Sequence, residues 1–182
     1  MPRVLVPVAP GFEEIETVSI VDILRRAQIE VVLAGTQPGV LTGSRGIRVE
    51  PDCSLDRVLS QSFDLVVLPG GMQNALALRD DTRVRALVTR QLEGGGLVGA
   101  ICAAPLALAA YGVLDTRRAT SHPSVRQDLA RLQIVNDRVV TSDRVITSQG
   151  PGTAIEFAFA LIERLLGAEK VREVNAGVLA KV

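Results

Sequence analysis

Aromatic side chains are nearly absent from this chain of 182 residues, which has no Trp, one Tyr and four Phe. Alanine and the branched aliphatic residues supply most of its apolar content. Parallel strands that helices cover on both faces consist of such continuous aliphatic runs, so the composition favours an α/β fold. Because no Pro- or Ser-rich linker divides the sequence, we expect a single domain over residues 1–182.

A surplus of either charge is also absent, since 20 Lys and Arg residues balance 20 Asp and Glu residues. Without a basic stripe that could attract phosphate groups, we expect neither nucleic acid nor a membrane as a partner. The first apolar run, residues 4–9, is shorter than the apolar region of a secretory signal. The expected location is therefore the cytoplasm.

Cysteine and histidine are scarce, with two cysteines, Cys53 and Cys102, and one histidine, His122. Their spacing fits neither a disulfide framework nor a structural zinc site. We therefore expect no metal and no cofactor. Cys53 lies among polar residues, which is typical of a surface thiol.

One long uncharged stretch occurs, "LVGAICAAPLALAAYGVL", and its 18 residues reach the length of a short membrane span. Pro105 interrupts it, and many of its residues are Ala or Gly rather than Leu, Ile or Phe. We predict instead a buried strand over 97–101, a sharp turn at Cys102 and a helix with Pro105 in its first turn.

Short apolar runs alternate with helical patterns along the chain. The runs, which we predict to be buried strands, cover residues 3–9, 29–35, 64–71, 96–102 and 144–150. The helical patterns cover residues 13–27, 80–93, 104–111 and 153–166. Glycine turns in 40–52 indicate a small hairpin, and Thr153 and Glu156 have the spacing of a capping box. The alternation predicts a doubly wound, mostly parallel sheet with helices on both faces.

Small residues surround Cys102 at the predicted junction of strand and helix, as a nucleophile elbow requires. The start of the following helix favours the thiolate. Gly71, in the "PGG" turn after another strand, and the amide of Ala103 could form an oxyanion hole beside the sulfur. The alternatives are a buried, unreactive Cys102 and an ordinary tight turn at Gly71.

Glu16 lies on the apolar stripe of the first predicted helix, because Ile20 and Ile23 follow it at i+4 and i+7. A carboxyl placed there stays protonated or finds a strong partner, and its proton could stabilise a thiolate or an oxidised sulfur. The alternative is a charge at the rim of the helix. Glu13 and Glu14 are interpreted as first-turn residues that the helix dipole favours.

His122, in "TSHPSV", could act as a general base if it reached Cys102, or could lie on a solvent-exposed loop. Arg45, in the glycine-flanked "TGSRG", could bind an anion or be an ordinary solvated charge.

Several segments together resemble the ThiJ/PfpI superfamily: "APGFEEIETV", "DLVVLPGG", "GAICAAPLALA", "TSHPSV" and "TSQGPGTAIEFAFALIE". The likeness runs from about residue 3 to residue 176 and is closest to the branch of the parkinsonism-associated protein deglycase and its bacterial relatives. It implies a flavodoxin-like fold and a homodimer. Ala103 departs from the protease-like branch, where a histidine follows the nucleophile, and this departure argues against peptidase activity.

The resemblance also implies roles for individual residues. Cys102 corresponds to the reactive cysteine and Glu16 to a buried, protonated glutamate that hydrogen-bonds it. Gly71 and Ala103 correspond to the oxyanion-binding amides. His122 corresponds to a loop histidine, and Arg45 to an arginine that approaches the pocket of the partner subunit.

Three functions follow as hypotheses. The leading one is a cofactor-independent glyoxalase or deglycase that acts on methylglyoxal-type aldehydes or their early adducts and forms a 2-hydroxy acid through Cys102. The second is an oxidative-stress sensor or redox-controlled chaperone that works through oxidation of Cys102. The third is a thiol peptidase or amidase that uses Cys102 and His122.

Overall fold

The computed structural model describes residues 1–181. In this part of the chain the strands are β1 (Arg3–Val8), β2 (Glu30–Gly35), β3 (Leu41–Thr42), β4 (Arg48–Val49), β5 (Cys53–Ser54), β6 (Leu65–Leu68), β7 (Leu97–Ile101), β8 (Val139–Ser142) and β9 (Val145–Ser148). The α-helices are α1 (Glu14–Arg26), α2 (Met72–Asp80), α3 (Thr82–Glu93), α4 (Pro105–Ala110), α5 (Ala154–Leu166) and α6 (Ala168–Val178).

Seven of the described strands form one sheet in the order β5-β2-β1-β6-β7-β9-β8. Neighbouring strands run parallel, except that β8 is antiparallel to β9. The central order β2-β1-β6-β7-β9 is that of a flavodoxin-like fold, in which ligands bind where the strand order reverses, beside β1. The predicted mostly parallel α/β sheet is therefore confirmed. β3 and β4 form a separate antiparallel ribbon within the predicted hairpin of residues 40–52.

Two cores cover the two faces of the sheet, which explains why the strands are continuous apolar runs. On β1, Leu5 belongs to the core beneath α2, α3 and α4, whereas Val4 and Val6 belong to the core beneath α1, α5 and α6. On β6, Val66 and Val67 divide in the same way. Successive side chains of a strand point to opposite faces, so burial of both faces requires apolar residues at every position.

The uncharged stretch of residues 97–114 is divided between β7 and the short helix α4. Across residues 1–181, no helix combines the length and the apolar character that crossing a membrane requires.

The elements differ from the sequence predictions in several places. Helices α2 and α6 and the edge strand β8 were not predicted. Helix α2 buries few apolar side chains, whereas the stripe of three valines on α6 was overlooked. The predicted helix of residues 80–93 begins at Thr82, since the carboxylate of Asp81 caps α3 by accepting from the Arg83 N–H at 2.9 Å.

The predicted capping box at the start of α5 is wrong. The Thr153 hydroxyl lies 2.6 Å from Ser148 Oγ and donates to the Gly150 carbonyl at 2.9 Å, so it caps a preceding turn instead. Glu156 forms an ion pair with Arg138 at 2.7 Å. Other partners, in the preceding turn and on the strand side, therefore occupy both side chains of the motif.

Phe157 provides a test of this packing, because its fully buried ring faces the β7 backbone beside Gly99. We expect Phe157→Ala to lower the free energy of unfolding by about 3–5 kcal/mol, since the sheet cannot collapse into the cavity. The matched control on the same helix is Ile155→Ala, at a side chain that is 38% exposed. Urea unfolding at one protein concentration measures both variants, and equal losses would contradict this account of the core.

Candidate functional site

A sharp turn at Cys102 joins β7 to α4. Its backbone φ of 65° is a left-handed conformation that residues with side chains seldom adopt. Two hydrogen bonds hold it, from the Cys102 N–H to the Ser148 carbonyl at 2.9 Å and from the His122 N–H to the Cys102 carbonyl at 2.8 Å. The buried Ala103 follows, and α4 begins at Pro105. This is the strand–turn–helix geometry of a nucleophile elbow.

Two glycines at the end of β6 bring backbone close to the cysteine. Gly71 has a φ of 87°, and a β-carbon there would overlap the carbonyl oxygen of Gly11. At Gly70, a β-carbon would lie 2.5 Å from the Cβ of Cys102. Because neither residue has a side chain, the turn fits against the elbow. The N–H groups of Gly71 and Ala103 face the sulfur and act to lower the pKa of the thiol.

Glu16 lies beneath the sulfur and is completely buried on α1. Its Oε2 accepts a hydrogen bond from the Gly70 N–H at 2.8 Å. Its Oε1 has no partner that meets ordinary hydrogen-bond geometry, although the carboxyl lies close enough to Cys102 to affect the pKa of both groups. Burial, with a smaller contribution from the charge of Glu13, raises the pKa of Glu16 to about 8. The carboxyl is therefore protonated at neutral pH.

Opposing effects act on the pKa of the Cys102 thiol. Burial and the negative charge of an ionised Glu16 raise the pKa to about 12, and the amides of Gly71 and Ala103 lower it by less. The amide at the start of α4 does favour the thiolate, as predicted, but the prediction omitted burial, which is the larger effect and raises the pKa. A protonated Glu16 exerts no Coulomb repulsion on the sulfur and can donate to it, so the two groups titrate as a pair.

His122 lies in the same cavity but does not pair with the sulfur. Its Nδ1 lies 2.7 Å from Ser124 Oγ and accepts from the Ser124 N–H at 3.2 Å. Among residues 1–181, no hydrogen bond joins the imidazole to Cys102. What His122 contributes to the elbow is its backbone N–H, which holds the Cys102 carbonyl.

Glu14 lies in the first turn of α1, as predicted, but it is a buried carboxylate with 4% exposure and tertiary partners. It accepts from Ser44 Oγ at 2.9 Å and from the Arg45 N–H at 2.5 Å, with a longer contact of 3.4 Å to the Ile47 N–H. Burial alone would raise the pKa of Glu14, but these hydrogen bonds outweigh it and lower the pKa. The carboxylate therefore organises the loop that carries Arg45 to the cavity.

Most of the predicted site residues share one cavity of about 390 Å³ at the carboxyl ends of the strands. Those that line it are Arg45, Gly71, Cys102, Ala103 and His122. A larger cavity of about 480 Å³ lies beside Asp64 and Leu97, at the opposite end of β6 and β7, and neither cysteine lines it. Within residues 1–181, no cluster of three or more His, Cys, Asp or Glu side chains could hold a metal ion.

Sequence reasoning missed Asn74, which is fully buried at the start of α2. Its carboxamide hydrogen-bonds the backbone at the ends of β1 and β6. The only available signal was an amide residue three positions after the "PGG" turn. Glu14 gave no local signal, because its partners lie more than 29 residues away.

A sequence profile of the DJ-1/PfpI family matches residues 2–164. Protein dj-1beta of Drosophila melanogaster is 46% identical over 178 residues, which cover 96% of this chain and 95% of that protein. The glutathione-independent glyoxalase DJR-1.2 of Caenorhabditis elegans is 39% identical over 160 residues, 87% of this chain and 85% of that protein.

Comparison of the fold with solved structures points to the same family. The solved structure of oxidized Toxoplasma gondii DJ-1 superposes with a TM-score of 0.96 at 37% identity, covering 100% of both chains. Because the family profile and these relatives span most of its length, the chain belongs to the DJ-1/PfpI family.

Proposed function

We propose that the chain is a cofactor-independent glyoxalase that converts methylglyoxal, or an early adduct of such an α-oxoaldehyde, into a 2-hydroxy acid. The observation that carries the proposal is the arrangement around the Cys102 sulfur. The buried carboxyl of Glu16 lies on one side of the sulfur, and the N–H groups of Gly71 and Ala103 face the sulfur. The glyoxalase name of the Caenorhabditis elegans relative supports the same reaction class.

The first step adds the sulfur to the aldehyde. The Cys102 thiolate forms a C–S bond to the aldehyde carbon, and the electron pair of the C=O bond moves to the oxygen. The amides of Gly71 and Ala103 stabilise this oxyanion. Glu16 then gives its proton to the oxygen, which leaves a neutral hemithioacetal and a Glu16 carboxylate.

The second step moves hydrogen from the former aldehyde carbon to the neighbouring carbon. The Glu16 carboxylate removes the C–H proton to give an enediolate and returns it to the adjacent carbon, while the hydroxyl proton shifts to the neighbouring oxygen. The product is a thioester of lactate on Cys102. Water cleaves the C–S bond and regenerates the thiol, so methylglyoxal and water yield lactate and one proton.

A second function is favoured by the unpartnered Oε1 of Glu16. Peroxide could oxidise the Cys102 thiol to a sulfinate, with two peroxides reduced to two waters. A protonated Glu16 would then donate to one sulfinate oxygen, and the Gly71 and Ala103 amides would hold the other. This supports a role as an oxidation sensor or redox-controlled chaperone. A peptidase is disfavoured because the imidazole of His122 is directed to Ser124.

A homodimer is part of the proposal. Apolar side chains are exposed on one face of α1, where Ile15 is 57% and Val18 is 51% exposed. Ile47, at 56% exposure, is nearby because its N–H contacts Glu14. A second copy of the chain would cover this surface, and the adjacent Arg45 would then lie near the subunit boundary.

The first prediction concerns the nucleophile. Cys102→Ser should lower kcat/KM for lactate formation from methylglyoxal by at least about 100-fold, because a serine hydroxyl in this site stays protonated. Cys53→Ser is the matched control, since Cys53 lies on β5 outside the cavity. Enzymatic assay of lactate measures both variants. Equal lactate formation by Cys102→Ser and the unmodified chain would refute the proposed reaction.

The second prediction concerns pH. The pair of Cys102 and Glu16 must lose one proton before attack, and the pKa of Glu16 is about 8. We therefore expect kcat/KM to rise with pH through about 8 and then level off. Glu16→Gln removes the titrating carboxyl and should lower kcat/KM by about 100-fold. A profile of Glu16→Gln that keeps the same inflection would show that another group is responsible.

The third prediction separates the sensor from the enzyme. Under graded peroxide, mass spectrometry should find two added oxygens on Cys102 before Cys53 is modified, because Glu16 and the amides stabilise the sulfinate. In Glu16→Gln the sulfinate should accumulate more slowly or advance to the sulfonate. The sensor role fails if Cys53 oxidises as fast as Cys102.

A further inference from the structure

Asn74 joins the ends of two neighbouring strands at the point where the site lies. Its Oδ1 accepts from the Ala9 N–H, directly after β1, at 2.7 Å. Its Nδ2 donates to the carbonyls of Pro69 and Gly70, directly after β6, at 2.8 and 3.2 Å. The orientation of the carboxamide follows from its partners, because an N–H can only donate and a carbonyl can only accept. The side chain has no exposed surface.

The two carbonyls that Asn74 holds belong to the two peptides whose N–H groups face Glu16 and Cys102. The carbonyl of Pro69 shares a peptide plane with the Gly70 N–H, which donates to Glu16 Oε2 at 2.8 Å. The carbonyl of Gly70 shares the next plane with the Gly71 N–H, which faces the Cys102 sulfur. In a trans peptide the C=O and N–H point in opposite directions. An amide that anchors both carbonyls therefore aims both N–H groups at the reacting pair.

We propose that Asn74 is a positioning residue that orients the Gly70 N–H toward Glu16 and the Gly71 N–H toward the Cys102 sulfur. The inference rests on the proposed function, and it assigns part of the oxyanion hole to a side chain that does not touch the substrate. Asn74 is needed because glycine at both positions leaves the turn without side-chain contacts of its own. The Glu13 N–H supports the Gly70 carbonyl at 3.0 Å but leaves the Pro69 carbonyl to Asn74.

A neutral substitution of similar size, Asn74→Leu, tests the proposal. It removes the donor without adding a charge that would itself alter the reactivity of the thiol. The measurement is the rate at which iodoacetamide alkylates Cys102 at one fixed pH in a Cys53→Ser background, where Cys102 is the only thiol. We expect this rate to fall about 10-fold, because misaimed amides stabilise the thiolate less. We also expect kcat for lactate to fall about 10- to 100-fold with little change in KM.

Gln91→Leu is the matched control. Gln91 is 9% exposed, and its carboxamide donates to the Phe63 carbonyl at 3.0 Å, before β6 rather than after it. Its loss removes a comparable buried hydrogen bond from the same strand region without touching the turn. The alkylation rate of Cys102 in Gln91→Leu should equal that of the parent chain.

Two results would overturn the proposal: an unchanged alkylation rate in folded Asn74→Leu, or an equal fall in Gln91→Leu. Circular dichroism checks folding, and Asn74→Ala takes the place of Asn74→Leu if the latter does not fold. Alkylation needs no turnover. If the unmodified chain makes no lactate, the proposed reaction fails while the positioning role of Asn74 is still decided by the alkylation rate.

Discussion

The close approach of the β6 turn to Cys102 is the contact on which the rest of the site depends. A single β-carbon at Gly70 would occupy the space of the Cys102 Cβ and of a Glu16 carboxyl oxygen. Its absence lets one short turn contact the nucleophile and the buried acid together. The elbow contributes to the same contact, because the left-handed backbone of Cys102 directs the sulfur toward the turn. This backbone conformation of Cys102 would be unfavourable alone, and the hydrogen bonds to Ser148 and from His122 stabilise it.

Electrostatics in the site follow from the same close packing. The Glu16 carboxyl and the Cys102 thiol lose water together, so burial opposes the charged form of each. The pKa of Glu16 is higher in the folded chain, at about 8, than its usual 4.5. Between these two pH values the unfolded chain loses this proton and the folded chain keeps it, so the free energy of unfolding falls as the pH rises. A carboxyl that lowers stability in this way is typical of a functional site rather than a structural one. Glu14 shows the contrast, because its hydrogen bonds keep a nearby buried carboxyl charged.

The predictability of the elements followed the strength of their local patterns. The central strands were predicted from continuous aliphatic runs, because burial on both faces constrains every residue of the strand. Helix α2 was missed because it presents few apolar side chains to the core. The capping box at Thr153 failed because its hydroxyl pairs with Ser148 Oγ and the Gly150 carbonyl, in the turn before the helix. Such motifs hold only where no neighbouring hydrogen bond competes.

The sequence by itself determined the α/β class, the elbow at Cys102 and the placement of Glu16 on an apolar helix face. The elbow and the face of Glu16 are expressed in residue type and spacing over a few positions, and the α/β class in the alternation of strand and helix patterns along the chain. Only the tertiary structure decided that the Gly70 N–H meets Glu16, 54 residues away, that His122 is directed to Ser124, and that burial raises the pKa of the thiol. These features depend on which strand ends become neighbours. Local periodicity does not record that choice, because the packing of the whole sheet makes it.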